Sequence, residues 1–274
     1  MVSMMLNNFP HIILTSPGAI AFHIGSLTIR WYGVFIAIAF LIAYFIAENL
    51  IKKKQLNLEC FNDLILLILI FSIFFARLWF VILSWDYFKN NLTEIPMIWL
   101  GGQSIHGGIF GAIFATLMFS KIRKVSFYAY IDVIAVVTPL GQAIGRWGNF
   151  FNNEAFGRPV QDHFFIPIWL NIPIHYRPEK YLSYKFFHPT FLYESFFDLI
   201  LFVFLYRNCL AWSNRPGKCF WFYLFGYSII RFFLEFIRVD SLYLFGTFSS
   251  AHVISVVILI LSGIMLCSKS EKQK

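Results

Sequence analysis

Tyr227, Arg231, Glu235 and Arg238 fall at i, i+4, i+8 and i+11, so they share one helix face inside an otherwise apolar run. Spacing alone fits two readings. One is a structural Arg231–Glu235 ion pair that docks helices. The other is an anion site, because two guanidinium groups against one carboxylate leave positive charge over, and a guanidinium fork matches phosphate oxygens. A second constellation is the run from Gly145 through Arg146, Asn149, Asn152, Asn153 and Glu154 to Gly157 and Arg158. Its glycines would let backbone amides approach a ligand closely, although the same residues also describe a glycine-rich helix end capped by asparagines. His106-Gly107-Gly108 and His188-Pro189-Thr190, the latter leading into Tyr193 and Glu194, read as helix starts. Arg77, Asp132, Gln142 and Asp198 are isolated polar groups in apolar surroundings, suited to interhelical hydrogen bonds.

The elements that must position these groups are membrane spans. The 274 residues are 59% hydrophobic and only 13% charged, which excludes an ordinary soluble domain. A span takes roughly 20 mostly apolar residues, and seven stretches approach that, near 31–48, 62–84, 107–120, 126–145, 190–206, 219–238 and 250–268. The third is short, and the fourth is interrupted by Asp132, Pro139, Gly141 and Gln142. The expected fold is therefore an all-α polytopic integral membrane protein of about seven transmembrane helices. The net charge of +8 does not point to nucleic acid, because the basic residues alternate along the chain. Twelve of the 22 occupy alternate short connections: Lys52, Lys53 and Lys54, then Lys121, Arg123 and Lys124, then Arg207, Arg215 and Lys218, and lastly Lys269, Lys272 and Lys274. By the positive-inside rule these connections are cytoplasmic, the N-terminus is outside and the C-terminus inside.

In that topology Cys60, Cys209, Cys219 and Cys267 all lie toward the reducing cytosol, and no disulfide or metal site is expected from their spacing. The first 30 residues lack the pattern of a removable signal peptide. The chain reads as a single transmembrane domain, 1–274, with outer loops 85–105 and 149–188 as interfacial caps, since both carry the Trp and Tyr that settle at a membrane surface. The same topology sets Tyr32, His106, Arg146, Asn149, His188, Tyr193, Glu194, Arg231, Glu235 and Arg238 toward the outer ends of their spans. Ionisable groups are costly in a bilayer, so a cluster at one depth marks a site. An anion transporter or channel would also gather arginines, but it needs polar access from both faces, and the inner halves of the spans are comparatively poor in ionisable groups.

The stretch Gly145 to Gly157 resembles the signature of the bacterial prolipoprotein diacylglyceryl transferases, G-R-x-G-N-F-x-N-x-E followed by a glycine. Arg30-Trp31-Tyr32-Gly33, His106-Gly107-Gly108, His188-Pro189-Thr190 with Leu192-Tyr193-Glu194, and Arg231 to Arg238 follow in family-like order, so the resemblance covers about residues 20 to 265. Trp147 stands at a place that is often aliphatic, and Asn153 at one that is often glycine. The resemblance implies transfer of a diacylglyceryl group from phosphatidylglycerol to the lipobox cysteine thiol in a preprolipoprotein signal peptide, with release of glycerol 1-phosphate, in the bacterial cytoplasmic (inner) membrane at its extracytoplasmic side. It implies no metal and no organic cofactor. Arg146 and Arg231 would take the phosphate, Asn149, Glu154 and Gly157 would shape the headgroup pocket, and Tyr32 and Tyr227 would hydrogen-bond nearby. Glu235, Arg238, His188 and Glu194 complete the expected substrate site. Two outer groups could take the thiol proton. An imidazole, with an ordinary pKa of about 6.5, is the better base near neutral pH, which favours His106; Glu154 has orientation of Arg146 as its more natural task. Deprotonation assisted by the lipid phosphate is the alternative.

Overall fold

The computed structural model describes residues 11–25, 27–160, 168–240, 243–244 and 248–268. Seven helices of 18 or more residues follow one another among them: α1 Trp31–Lys53, α2 Leu58–Leu83, α3 Ile105–Arg123, α4 Phe127–Asn152, α5 Thr190–Cys209, α6 Lys218–Glu235 and α7 Ser250–Cys267. Five of them, α1, α2, α3, α4 and α7, are long and apolar enough to cross a membrane, and the chain is a multi-pass integral membrane protein. The short third stretch and the interrupted fourth are both continuous helices, α4 passing through Pro139 without a break. The large side chains on the outward faces, such as Ile70 and Phe74 on α2 or Ile260 and Leu261 on α7, are half exposed or more, as surfaces that meet lipid must be.

Residues 48–133 form one compact unit and residues 1–47 with 134–274 the other. In the first, α2 and α3 pack through small residues. A methyl group at Gly107 would lie 2.2 Å from the Phe75 carbonyl oxygen, and one at Gly111 would lie 2.4 Å from that of Phe71. Gly107, Gly111 and Ala115, all buried at four-residue spacing, make the stripe of small residues that lets two helix backbones approach in lipid. Arg77 on α2 is buried but does not bond another helix, contrary to the sequence expectation. Its guanidinium donates to the carbonyls of Glu94 (2.7 Å), Ile95 (2.8 Å), Gly101 (2.6 Å) and Gly102 (2.9 Å), so it organises the connection that leads into α3. Four carbonyls of the connection thus find a donor on α2.

In the second unit a small sheet covers one end of the helices. Strand β1 (Ile12–Thr15) pairs in parallel with β4 (Ile168–Asn171), and β4 pairs antiparallel with β5 (Phe186–Phe187). Two short hairpins, β2 (Ile20–Ile24) with β3 (Leu27–Arg30) and β6 (Tyr243–Leu244) with β7 (Phe248–Ser249), complete the strands. An all-α reading leaves these strands out. They are two to five residues long and lie among prolines and aromatics, where alternation is too brief to register in a sequence. Phe150, Phe156, Leu170, Ile172, Phe187 and Phe191 form a buried cluster that joins the end of α4, the sheet and the start of α5.

Candidate active site

The motif that begins at Gly145 is helical for longer than the expected span, since α4 runs on to Asn152. Asn153 and Ala155 then take left-handed backbone (φ 54° for both), which turns the chain out of the helix. Asparagine adopts that conformation readily, so Asn153 serves where glycine would be the usual choice. The turn delivers Gly157 to an edge where its amide donates to the His188 carbonyl (2.9 Å) and it pairs with Arg238. A methyl group at Gly157 would stand 2.7 Å from His188 Cβ and 2.9 Å from both Ile237 Cγ2 and Thr190 Cγ2. Gly157→Ala is therefore expected to cost about 1–3 kcal/mol of stability through overpacking, seen as a lower melting midpoint in detergent together with lower activity. A variant that melts and works like the parent would show that the junction yields without strain.

Three helices of this unit each bring a charged group to one point. Arg146 on α4 is ion-paired with Glu194 on α5. Arg231 on α6 reaches the same carboxylate at 3.3 Å and also pairs with Glu235 at 3.2 Å. Arg238 lies 3.9 Å from Glu194 and is held in a two-point pair by Asp240, at 2.9 and 2.7 Å. The Tyr227 hydroxyl donates to Glu194 at 3.4 Å, and Ser249 donates to Glu235. Glu194 and Glu235 are 2% and 4% exposed, whereas the arginine side chains keep between 13% and 20% of their surface. The carboxylates thus form a buried floor and the guanidinium groups face outward from it. Each arginine spends only part of its five N–H donors on that floor.

This arrangement revises two sequence expectations. Three guanidinium groups now stand against Glu194, Glu235 and the half-exposed Asp240, so the simple surplus of two arginines over one glutamate does not describe the site. Glu154 does not pair with Arg146. It accepts from Asn149 (2.8 Å) and Asn152 (3.2 Å), and Asn149 in turn accepts from Arg146 at 3.3 Å, so the acid acts on that arginine through an amide relay. The direct orienting acid is Glu194, 48 residues further along the chain.

The structure gathers Arg146, Asn149, Glu154, Glu194, Tyr227, Arg231, Glu235 and Arg238 through these contacts. Tyr32 joins by its ring, which closes on Gly148; a methyl group there would meet Tyr32 Cδ2 at 2.5 Å. His188 is buried, and its Nδ1 lies 3.2 Å from the Tyr193 hydroxyl while its backbone pairs with Arg158. Burial pushes the His188 imidazole below its ordinary range, so it is neutral at pH 7 and fits a structural post in the strand edge. His106 lies in the other unit, exposed in the first turn of α3. Among the described residues no group of three or more His, Cys, Asp or Glu side chains could hold a metal ion.

Residues 19–268 match the family model described as prolipoprotein diacylglyceryl transferase. The chain is 43% identical over 249 residues to a phosphatidylglycerol–prolipoprotein diacylglyceryl transferase of Nostoc sp., covering 89% of this chain and 86% of the relative. A protein of the same name from Staphylococcus haemolyticus is 41% identical over 252 residues, 92% of this chain and 88% of the relative. One from Geobacillus kaustophilus is 41% identical over 240 residues, 88% of each.

Proposed function

The chain belongs to the prolipoprotein diacylglyceryl transferase family, and from that membership we infer that it transfers the diacylglyceryl group of phosphatidylglycerol to a prolipoprotein. It is an enzyme of lipoprotein biosynthesis. The acceptor is the lipobox cysteine of the preprolipoprotein signal peptide. Its sulfur attacks the glyceryl carbon that carries the phosphate, the carbon–oxygen bond breaks, a thioether forms, and glycerol 1-phosphate leaves with the electron pair. The thiol proton passes to a base, for which His106 is the candidate.

The observation that supports this reading best is the convergence of Arg146, Arg231 and Arg238 on buried Glu194. A leaving phosphate gains negative charge as the bond breaks, and fixed donors aimed at that charge stabilise the transition state without reorganising. The buried carboxylates hold the guanidinium groups in place, and their remaining N–H donors are free to take phosphate oxygens. Glycerol phosphate release, measured with purified protein, phosphatidylglycerol and a lipobox peptide in detergent, tests the assignment. No release, or release that does not need the peptide thiol, would overturn it.

The same reading makes the chain one transmembrane domain with seven spans, in the bacterial cytoplasmic membrane, with the site toward the extracytoplasmic side. Helices α5 and α6 carry the site charges on their inner faces and present Phe196, Phe197, Ile200 and Phe233 outward, which supports their crossing the bilayer as well. Alternating basic clusters support an outer N-terminus and an inner C-terminus. Exposed Ser183 and Ser213 then lie on opposite sides. In a background with Cys60 and Cys267 replaced by serine, Ser183→Cys is expected to react with an impermeant thiol reagent in intact spheroplasts and Ser213→Cys to stay unlabelled. The opposite labelling would reverse the topology and the side of the site.

A further inference from the structure

The site has a second polar layer that the transfer as described does not use. On α4, Gln142 lies one turn before Arg146; on α5, Asp198 lies one turn after Glu194; on α6, Tyr223 lies one turn before Tyr227. Each step leads away from the sheet that covers the helix ends, because α4 and α6 run toward it and α5 runs from it. Three helices thus place Gln142, Asp198 and Tyr223 together beneath the arginines, where Asp198 feels the charges of Glu194, Arg146 and Arg231. The rings of Tyr223 and Tyr227 stack at 5.9 Å and connect the two layers.

The upper layer is hydrogen-bonded throughout, and the lower one is not. Asp198 is fully buried, and neither of its carboxyl oxygens has a hydrogen-bond partner. The Gln142 amide bonds the Tyr223 hydroxyl, yet its buried Oε1 is also without a partner. Both neighbours of Asp198 that look outward, Phe197 and Leu199, are exposed on the lipid-facing surface, so a polar residue at 198 was not needed to satisfy water. Buried polar atoms are nearly always paired in native proteins. An ionisable group left unpaired inside a bilayer protein, and beside an anion site, calls for a donor from outside the chain.

We propose that Asp198, Gln142 and Tyr223 form a polyol subsite that receives the two free hydroxyls of the donor lipid's glycerol headgroup and so selects that headgroup. The proposal rests on phosphatidylglycerol being the donor. Three unpartnered acceptor oxygens face a group that carries two hydroxyl donors and no charge. The geometry agrees, since the phosphorus of a glycerol phosphate stands roughly 5 Å from its far hydroxyl, about the 5.4 Å pitch that separates the two layers. Phosphate on the arginines therefore puts the diol one turn deeper. The same subsite holds the headgroup before the bond breaks and glycerol 1-phosphate after it.

The test is a competition between phosphatidylglycerol and phosphatidylethanol, two anionic phosphodiesters that differ in the diol, with one lipobox peptide and one enzyme preparation. Taken within a single preparation, the ratio of the two kcat/KM values does not depend on the fraction of folded protein. The parent is expected to favour phosphatidylglycerol by about 10²-fold or more, as a site built to bond hydroxyls rejects an analogue without them. Asp198→Leu should bring the ratio to within about threefold of one, whereas Asp198→Asn, which keeps an acceptor oxygen, should retain most of it. If Asp198→Leu does not fold, Gln142→Leu supplies the reading, and its ratio should fall by about tenfold. A parent ratio near one, or a ratio untouched in the leucine variant that folds, overturns the subsite while the transferase stands. A parent that releases no glycerol phosphate from phosphatidylglycerol overturns the transferase reading instead.

Discussion

Arg146→Lys and Arg231→Lys are each expected to lower kcat/KM by about 10² to 10³-fold, the loss typical of one preorganised oxyanion donor. Charge is kept in both variants, so charge alone does not set the size of the effect. Arg146 spans from Glu194 to Asn149, and Arg231 from Glu194 to Glu235, each using two nitrogens on the protein and keeping others for phosphate. An ammonium is a single point with a different reach, and it cannot brace against the carboxylate floor and grip the leaving group in the same plane. The measurement is steady-state transfer with the lipid concentration varied. Near-parental kcat/KM in either lysine variant would falsify the forked phosphate role and leave simple charge compensation of Glu194.

His106→Gln should lower turnover by about 10² to 10⁴-fold, the range for loss of a general base, while phosphatidylglycerol binding stays close to the parent's. Glutamine keeps a polar side chain but cannot accept the proton and give it up again. A free thiol has a pKa near 8.5, so raising the pH toward 9 should restore part of the variant's rate as more substrate ionises unaided. The parent gains less over the same interval. If turnover and the pH profile both match the parent's, His106 is not the base, and deprotonation assisted by the lipid phosphate takes its place.

The membrane part was legible in the sequence because each span needs a long apolar run, and a run of that length is hard to disguise. The polar face of α6 was legible for a similar reason, since Tyr227, Arg231 and Glu235 repeat every turn of one helix. The partner of Arg146 was not. Glu154 is eight residues away and looked sufficient, but Glu194 reaches the arginine from another helix, and no local period announces a contact across 48 residues. Arg77 misled in the opposite sense, because an arginine in an apolar run suggests another helix as partner while four loop carbonyls can satisfy it as well. Asp198 and Gln142 were recognised as buried, yet only the coordinates of three helices show that they share a layer.

The parallel pairing of β1 with β4 bears on the order in which the chain can mature during its synthesis. Residues 12–15 leave the ribosome well before their register partners, residues 168–171, which follow more than 150 residues later. At bacterial and eukaryotic elongation rates this gap is on the order of 10 s. Throughout it the first strand has no partner in the sheet, and α1 to α4 must be placed before one arrives. The covering sheet therefore forms after α1 to α4 and cannot nucleate them, while α5, α6 and α7 still follow it in the chain. A nascent chain stalled after α4 would present an open strand edge, a ready site for pairing errors or proteolysis.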